Sequence, residues 1–282
     1  MSEIPVARTI AELRAHVRAW HQAGQTVALV PTMGALHRGH LALVEEGLRR
    51  ADQVAASIFV NPKQFAPTED FDAYPRREAD DLAKLKSAGA ALAFVPGGGE
   101  MYAAGFATAI AVGGPATQGL EDRFRPHFFG GVATVVAKLL IQSQCDIALF
   151  GEKDYQQLLV VKQMVRDLDL PCRIIGCPTV READGLALSS RNAYLTAEER
   201  RIAPMLHQQL QAVAGALRAG KAPGEAIEAA ISVLITAGFS VDYLELRDAE
   251  TLAPEPDPGR GSRLLVAARL GKTRLIDNIA VY

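Results

Sequence analysis

The chain has 282 residues, 49% of them hydrophobic and 22% charged, with a formal net charge of −2. That length supports one large domain or two smaller ones with a sizeable core, and the charge argues against a protein whose main work is gripping nucleic acid. No apolar run approaches the roughly 20 residues of a bilayer span, the charged, amphipathic N-terminus lacks the pattern of a secretory signal, and the three cysteines, without CxxC spacing, fit buried thiols in a reducing cytosol.

In chain order, residues 8–23 place Ile10, Leu13, Val17 and Trp20 on one helical face. TVALV (26–30) reads as a buried strand, LALVEEGLRRA (41–51) as a helix and VAASIFV (54–60) as a strand. Residues 76–88 read as a helix and ALAFV (91–95) as a strand. The Gly- and Ala-rich stretch 97–120 reads as mostly loop, GGG at 97–99 included, with FATAIAV (106–112) as a candidate strand. GVATVVAKLLIQS (131–143) is a predicted helix, DIALF (146–150) a strand, QQLLVVKQMVRDL (156–168) a helix and CRIIGCPTV (172–180) a strand. This alternation is the signature of a parallel α/β sheet. The pattern changes near READGLALSSRN. Two long helical patterns follow, 196–219 and 223–237, and then VDYLELRD, SRLLVAARL and TRLIDNIAVY, which read as a small antiparallel sheet interrupted by the turn-rich PEPDPGRGS (254–262).

Parallel sheets bind ligands at the carboxyl ends of their strands. Four polar stretches follow four predicted strands: PTMGALHRGH (31–40), NPKQF (61–65), GEKDYQQ (151–157) and READGLALSSRN (181–192). Their donors, His37, His40, Lys153, Ser189, Ser190 and Arg191, suit anionic oxygens. Gly34 and Gly39 let backbone approach a ligand, and a helix opening near Gly39 aims its free N–H groups at the same place. The composition points to a multiply charged, phosphate-bearing ligand. Neither GxxxxGK[ST] nor a GxGxxG after the first strand is present, which argues against a P-loop protein and a dinucleotide oxidoreductase. Each stretch alone also has a plainer reading: His37 and His40 as a cap, a core pair or a zinc half-site without a third ligand, Asn61 and Gln64 as turn residues, and Lys153 and Arg191 as surface charges.

Taken together and in order, PTMGALHRGH, SIFVNPKQF, YPR (74–76), RP with an aromatic pair and GVATVVAKL, FGEKDYQQ, DGLALSSRN and LIDN resemble the pantoate–β-alanine ligase family along nearly the whole chain. GALHRGH resembles the His-x-Gly-His signature of the nucleotidyl-transferase superfamily, shared with class I aminoacyl-tRNA synthetases. LSSRN stands where that superfamily keeps a second, mobile ATP-binding motif. The resemblance implies a Rossmann-like parallel-sheet domain, 1–183, with a smaller C-terminal α+β domain, 184–282, in a cytosolic homodimer. It implies that pantoate attacks the α-phosphate of ATP, releasing pyrophosphate, and that β-alanine then displaces AMP from the pantoyl adenylate.

Carried over residue by residue, Met33, Gly34, Ala35, Leu36, His37, Arg38, Gly39 and His40 would cradle ATP, with His40 as proton donor and His37 near the phosphates. Gly151, Glu152, Lys153 and Asp154, with Leu188, Ser189, Ser190 and Arg191, would also contact ATP, and Val180 would do so through its backbone. Lys153 and Arg191 join the two histidines as the implied catalytic groups. Gln64 and Gln157, with Asn61 and Arg125, would hold pantoate and β-alanine. Asp80 and Asp81 would stand near a phosphate-bridging Mg²⁺. Two departures stand out. Arg38 occupies a position that is acidic in many members. RPHFF (125–129) replaces the common Arg-Pro-Gly-His-Phe, so Arg125 still matches while the role of that histidine does not transfer to His127. Two rival readings keep the same loops: a synthetase-like protein that loads its adenylate onto RNA, and a non-catalytic nucleotide binder.

Overall fold

Two sheets organise the computed structural model, which describes residues 3–66, 69, 71–254, 256 and 261–281. The first region runs β1 (Val6–Ala7), α1 (Ile10–Gln22), β2 (Val27–Thr32), α2 (Arg38–Leu48), β3 (Gln53–Ile58), α3 (Glu78–Ser87), β4 (Leu92–Phe94), the one-turn helices α4 (Gly98–Met101) and α5 (Glu121–Phe124), α6 (Phe128–Ser143), β5 (Ile147–Gly151), α7 (Tyr155–Asp167) and β6 (Arg173–Cys177). All six strands are parallel, in the order β1-β4-β3-β2-β5-β6. The chain winds outward from β2 in one direction and from β5 in the other. The crevice between these two neighbours is therefore the topological switch point, where open α/β sheets take their ligands.

Helices cover both faces. Val17 of α1, Val136 of α6 and Val161 of α7 bury against Leu29, Phe94 and Ala148 on one face. Leu43 and Val44 of α2 and Leu85 of α3 bury against Val30, Ala56 and Leu149 on the other. Helix α6 is apolar almost all round and is buried accordingly. Thr9 starts α1 with a reciprocal capping box to Glu12.

The second region contains α8 (Ala197–Ile202), α9 (Met205–Arg218), α10 (Pro223–Thr236) and the antiparallel sheet β7 (Phe239–Asp248), β8 (Ser262–Leu270), β9 (Thr273–Val281), in that order. Leu206, Leu210 and Leu234 bury against Leu244, Val266 and Leu275. On the other face of the sheet, Tyr243, Leu265 and Ala267 close over Leu120, with Tyr155 alongside. The expected boundary at 183/184 falls in a tight turn, where Arg181 pairs with Ala187 in a short antiparallel bridge.

Three expectations change. FATAIAV forms no strand: the Ile110 N–H goes to Thr134 Oγ1 of α6 at 3.0 Å, and the segment is a strap over that helix. Gly97 opens the one-turn α4, whose Glu100 accepts the Ile10 N–H at 2.7 Å. The pattern 196–219 breaks into α8 and α9 around Pro204, which has no N–H for a continuous ladder. PEPDPGRGS lies mostly outside the described residues. Among the described residues no helix is long and apolar enough to cross a membrane.

Candidate active site

A cavity of about 680 Å³ opens at the carboxyl ends of β2 and β5 and continues under the second sheet. It gathers residues from all four polar stretches. Met33, His37, Gly39 and His40 come from the loop after β2, and Asn61 and Gln64 from the loop after β3. Gly151, Lys153, Asp154 and Gln157 follow β5, while Val180, Leu188, Ser189, Ser190 and Arg191 follow β6. Arg125 closes the far wall, next to His127.

The loop after β2 owes its shape to backbone that most residues avoid. Gly34 and Ala35 are consecutive left-handed residues, with φ of 86° and 49°. His37 then caps α2: its Nδ1 accepts the Gly39 N–H at 3.1 Å, and His40 Nδ1 accepts the His37 N–H at 3.3 Å. The rings stack with centroids 4.0 Å apart. Because each Nδ1 accepts a backbone proton, the neutral tautomer of each ring carries its hydrogen on Nε2. Burial pulls the His37 imidazole down to about 4, helped by the Lys153 charge. Burial takes His40 to about 3, helped by His37 and Lys153. Both rings are therefore neutral hydrogen-bond donors at pH 7, at the positive end of a helix. Gly39 allows this stack, since a Cβ there would fall 2.9 Å from His37 Cε1.

The loop after β5 is fixed from the other sheet. Asn278 Nδ2 donates to the Glu152 and Lys153 carbonyls at 2.9 and 2.8 Å. Arg263 Nη2 reaches Glu152 Oε2 at 3.1 Å, and its guanidinium lies 3.6 Å from the Tyr155 ring centroid. Lys153 lines the cavity with its ammonium 3.7 Å from Asp154. The Ser-Ser-Arg stretch forms a short 3-10 turn capped by Ser189, and Tyr74 OH meets Ser190 Oγ at 3.2 Å across the cavity.

The expected substrate side is more closely bonded than its sequence shows. Every hydrogen-bonding position of the Asn61 amide is taken, by Gln64 Oε1, the Gly131 carbonyl, the Lys63 N–H and Tyr102 OH. Asn61 thus braces Gln64 from the cavity wall. Gln64 also donates to Met33 Sδ at 2.8 Å. This packing needs Gly131, whose Cβ would fall 2.1 Å from the Lys63 carbonyl oxygen. Arg125 is held by Glu69 through two bonds, at 2.7 and 2.8 Å, and lies 3.8 Å from the Phe128 ring centroid. Gln157 faces the cavity, and among the described residues no protein group takes its amide.

Other expected residues lie elsewhere. Gly34, Ala35 and Leu36 support the loop from behind rather than lining the cavity, and Glu152 turns to Arg263. Arg38 is exposed and lies 3.9 Å from Glu45, so its departure from the family pattern faces solvent. The two carboxylates expected near Mg²⁺ have different settings. Asp81 is buried with its two oxygens on the Ala35 and Leu36 N–H groups, and Asp80 is exposed on α3. Among the described residues no group of three His, Cys, Asp or Glu side chains is placed to hold a metal.

Several contributors were not read from sequence. Lys84 donates to the Leu36 carbonyl at 2.8 Å. Asp277 pairs with Arg181 at 2.6 and 2.9 Å, tying the turn before the serines to β9. Glu121 accepts two bonds from Arg274 and one from Tyr243, joining α5 to the second sheet. Asp277 and Asn278 did leave a signal, as polar residues interrupting an apolar strand.

The family model described as pantoate-beta-alanine ligase matches residues 5–280. The chain is 58% identical over 283 residues to the pantothenate synthetase of Bradyrhizobium sp. strain BTAi1, covering 100% of each. It is 59% identical over 280 residues to that of Caulobacter vibrioides, covering 98% of each. Among solved structures, pantothenate synthetase from Thermus thermophilus superposes with a TM-score of 0.93 at 50% identity, covering 99% of this chain and 100% of that one. A pantoate-beta-alanine ligase from Francisella tularensis, complexed with beta-gamma ATP and beta-alanine, does so with a TM-score of 0.84 at 32% identity, covering 98% and 97%.

Proposed function

The chain belongs to the pantoate–β-alanine ligase family, and on that premise we propose that it condenses pantoate with β-alanine at the expense of ATP, through a pantoyl adenylate. One observation carries the assignment of the nucleotide end. Two neutral imidazoles, each with its hydrogen on Nε2, stand at the N-terminus of α2 in the same cavity as Lys153. That arrangement suits oxygens that gain negative charge as a phosphorus is attacked.

The chemistry needs no nucleophile from the protein. A pantoate carboxylate oxygen bonds to the α-phosphorus, and the bond from that phosphorus to the pyrophosphate oxygen breaks. The β-alanine amine, once deprotonated, bonds to the acyl carbon, and AMP leaves with the electron pair of the acyl–oxygen bond. The protein has to bring two anions together and hold them in line. His40 and His37 donate from Nε2 to the phosphates, Lys153 and Arg191 supply positive charge, and Ser189 and Ser190 hold the nucleotide from the side of the second region. Gln157 and Gln64 hydrogen-bond pantoate, with Arg125 completing that end. Mg²⁺ would neutralise charge on the triphosphate, held chiefly by the phosphates as is common for that ion. We further read the two regions, 1–183 and 184–282, as domains that close on ATP, and the protein as a cytosolic homodimer. Sedimentation checks the oligomer.

Pyrophosphate release with ATP, Mg²⁺ and pantoate, β-alanine first withheld and then added, tests the route. A single-turnover burst that converts to AMP and pantothenate on adding β-alanine is the expected result. Pyrophosphate that waits for β-alanine would remove the free adenylate from the scheme.

A further inference from the structure

Asp81 is a buried carboxylate that answers a loop rather than a cation. Its Oδ2 accepts the Ala35 N–H and its Oδ1 the Leu36 N–H, each at 2.8 Å. One turn along α3, Lys84 Nζ donates to the Leu36 carbonyl at 2.8 Å. Three bonds from one helix face thus close on two successive residues. The segment they close on resists its own conformation. Gly34 tolerates its φ of 86° without cost, but Ala35, at 49°, carries a Cβ that disfavours the left-handed region. Such a residue persists where its surroundings over-determine it. A Cβ on Gly34 would lie 3.0 Å from Asp81 Oδ2, so the carboxylate is packed against the turn as well as bonded to it.

We propose that Asp81 and Lys84 are positioning residues for the adenylation step: they hold the Gly34–Ala35 turn left-handed, which aims the N-terminus of α2, with His37 and His40, at the triphosphate. This rests on reading Met33–His40 as the nucleotide loop. Without the carboxylate, Ala35 relaxes to an ordinary negative φ and the cap at His37 swings away from the cavity. A misplacement of about 1 Å at a reacting centre is enough to cost about 10²-fold in rate.

Asp81→Asn preserves shape but turns an NH₂ toward one of the two N–H donors. Amide hydrogen exchange on the ligand-free protein should show Ala35 and Leu36 exchanging at least tenfold faster, with amides inside α2 unchanged. The variant's kcat/KM for ATP should fall about 10²-fold, while KM for β-alanine stays within about threefold. The decisive arm is a double-mutant cycle with Ala35→Gly, which removes the Cβ penalty that the clamp opposes. The loss caused by Asp81→Asn should be at least fivefold smaller in the Ala35→Gly background. Equal losses in both backgrounds overturn the proposal. So does lost activity with unchanged exchange, including the case in which excess Mg²⁺ restores it and assigns Asp81 to the metal. If Asp81→Asn does not fold, as judged by its thermal melt, Lys84→Met carries the same cycle. A wild-type protein that binds no ATP while the exchange result holds would remove the nucleotide reading and leave the clamp in place.

Discussion

The two loops that flank the switch-point crevice are held in opposite ways. The loop after β2 is fastened within its own region: Asp81 and Lys84 bond its backbone, and the His37 and His40 side chains together cap the N-terminus of α2. The loop after β5 is fastened across the molecule, by Asn278 and Arg263 of the antiparallel sheet. The first is therefore a local product of its own sequence and α3, complete without the second region. The second is in place only when that sheet sits on the first. A disturbance of the sheet should move Lys153 and leave the imidazoles where they are.

Substitutions that separate the loops test this contrast. His40→Ala removes an Nε2–H donor and the acceptor of the His37 N–H, and it should slow adenylate formation by about 10²-fold or more, the scale for losing one positioned catalytic group. An unchanged rate of pyrophosphate release would take the first loop out of the chemistry. Asn278→Ala acts on the second loop, directly and through Arg263, whose Nε donates to Asn278 Oδ1 at 2.6 Å. It deprives two carbonyls of their partner and should reduce kcat/KM for ATP about tenfold, given about 1–3 kcal/mol for an orphaned buried acceptor. The His37 and His40 proton resonances should stay in place. If those resonances move, the loops are not independent and the contrast fails. Gln157→Ala touches neither loop's fastening. It should raise KM for pantoate about tenfold while KM for ATP moves less than twofold, as for one lost hydrogen bond to a polar substrate. A defect confined to ATP would misplace Gln157.

The contrast also marks what sequence could and could not disclose. The parallel sheet was legible, because TVALV, VAASIFV and DIALF are short apolar runs with helical patterns between them and nothing competes with that period. So was the place of the cavity, because each of those strands ends in a polar stretch. The donors into the cavity, His37, His40, Lys153 and the two serines, carry their chemistry in their identity. The fastenings do not. Asp81 beside a metal and Asp81 bonded to backbone look the same in sequence, since a carboxylate serves either; the two N–H groups at 2.8 Å become visible only in the fold. Asn61 reads in sequence as a turn residue or a substrate contact, and its four partners appear only in the fold. FATAIAV alternates like a strand, but a Thr134 hydroxyl took the Ile110 backbone donor. Sequence thus conveyed which groups face the cavity better than which groups hold those groups still, because the second question is one of long-range pairing.

The smallest expected effect is a pH dependence that belongs to the first loop alone. His37 and His40 lie well below the ordinary histidine value of about 6.5, at about 4 and about 3, chiefly because burial disfavours the imidazolium. In the unfolded chain both rings take up protons near pH 6.5, whereas the folded protein refuses them until far lower pH. The unfolded state therefore binds more protons in the window from about 6.5 down to about 4, and stability falls as pH falls through it. The contribution is complete above about pH 6.5 and is lost progressively toward the folded values. The carboxylates held low in the fold against the opposing effect of burial, such as Glu69 beside Arg125 and Asp277 beside His207 and Arg181, lose their contribution only below about pH 4.5, so the interval between pH 6.5 and 5 separates the two causes. Thermal melts across that interval should show a decline that His40→Gln makes shallower and Asn278→Ala leaves unchanged. Saturating ATP should flatten it as well, because phosphate oxygens against the Nε2 atoms favour the protonated rings and raise their values. A decline that persists in His40→Gln and is insensitive to ATP would place the titrating groups outside the crevice and remove the electrostatic half of the case for the first loop.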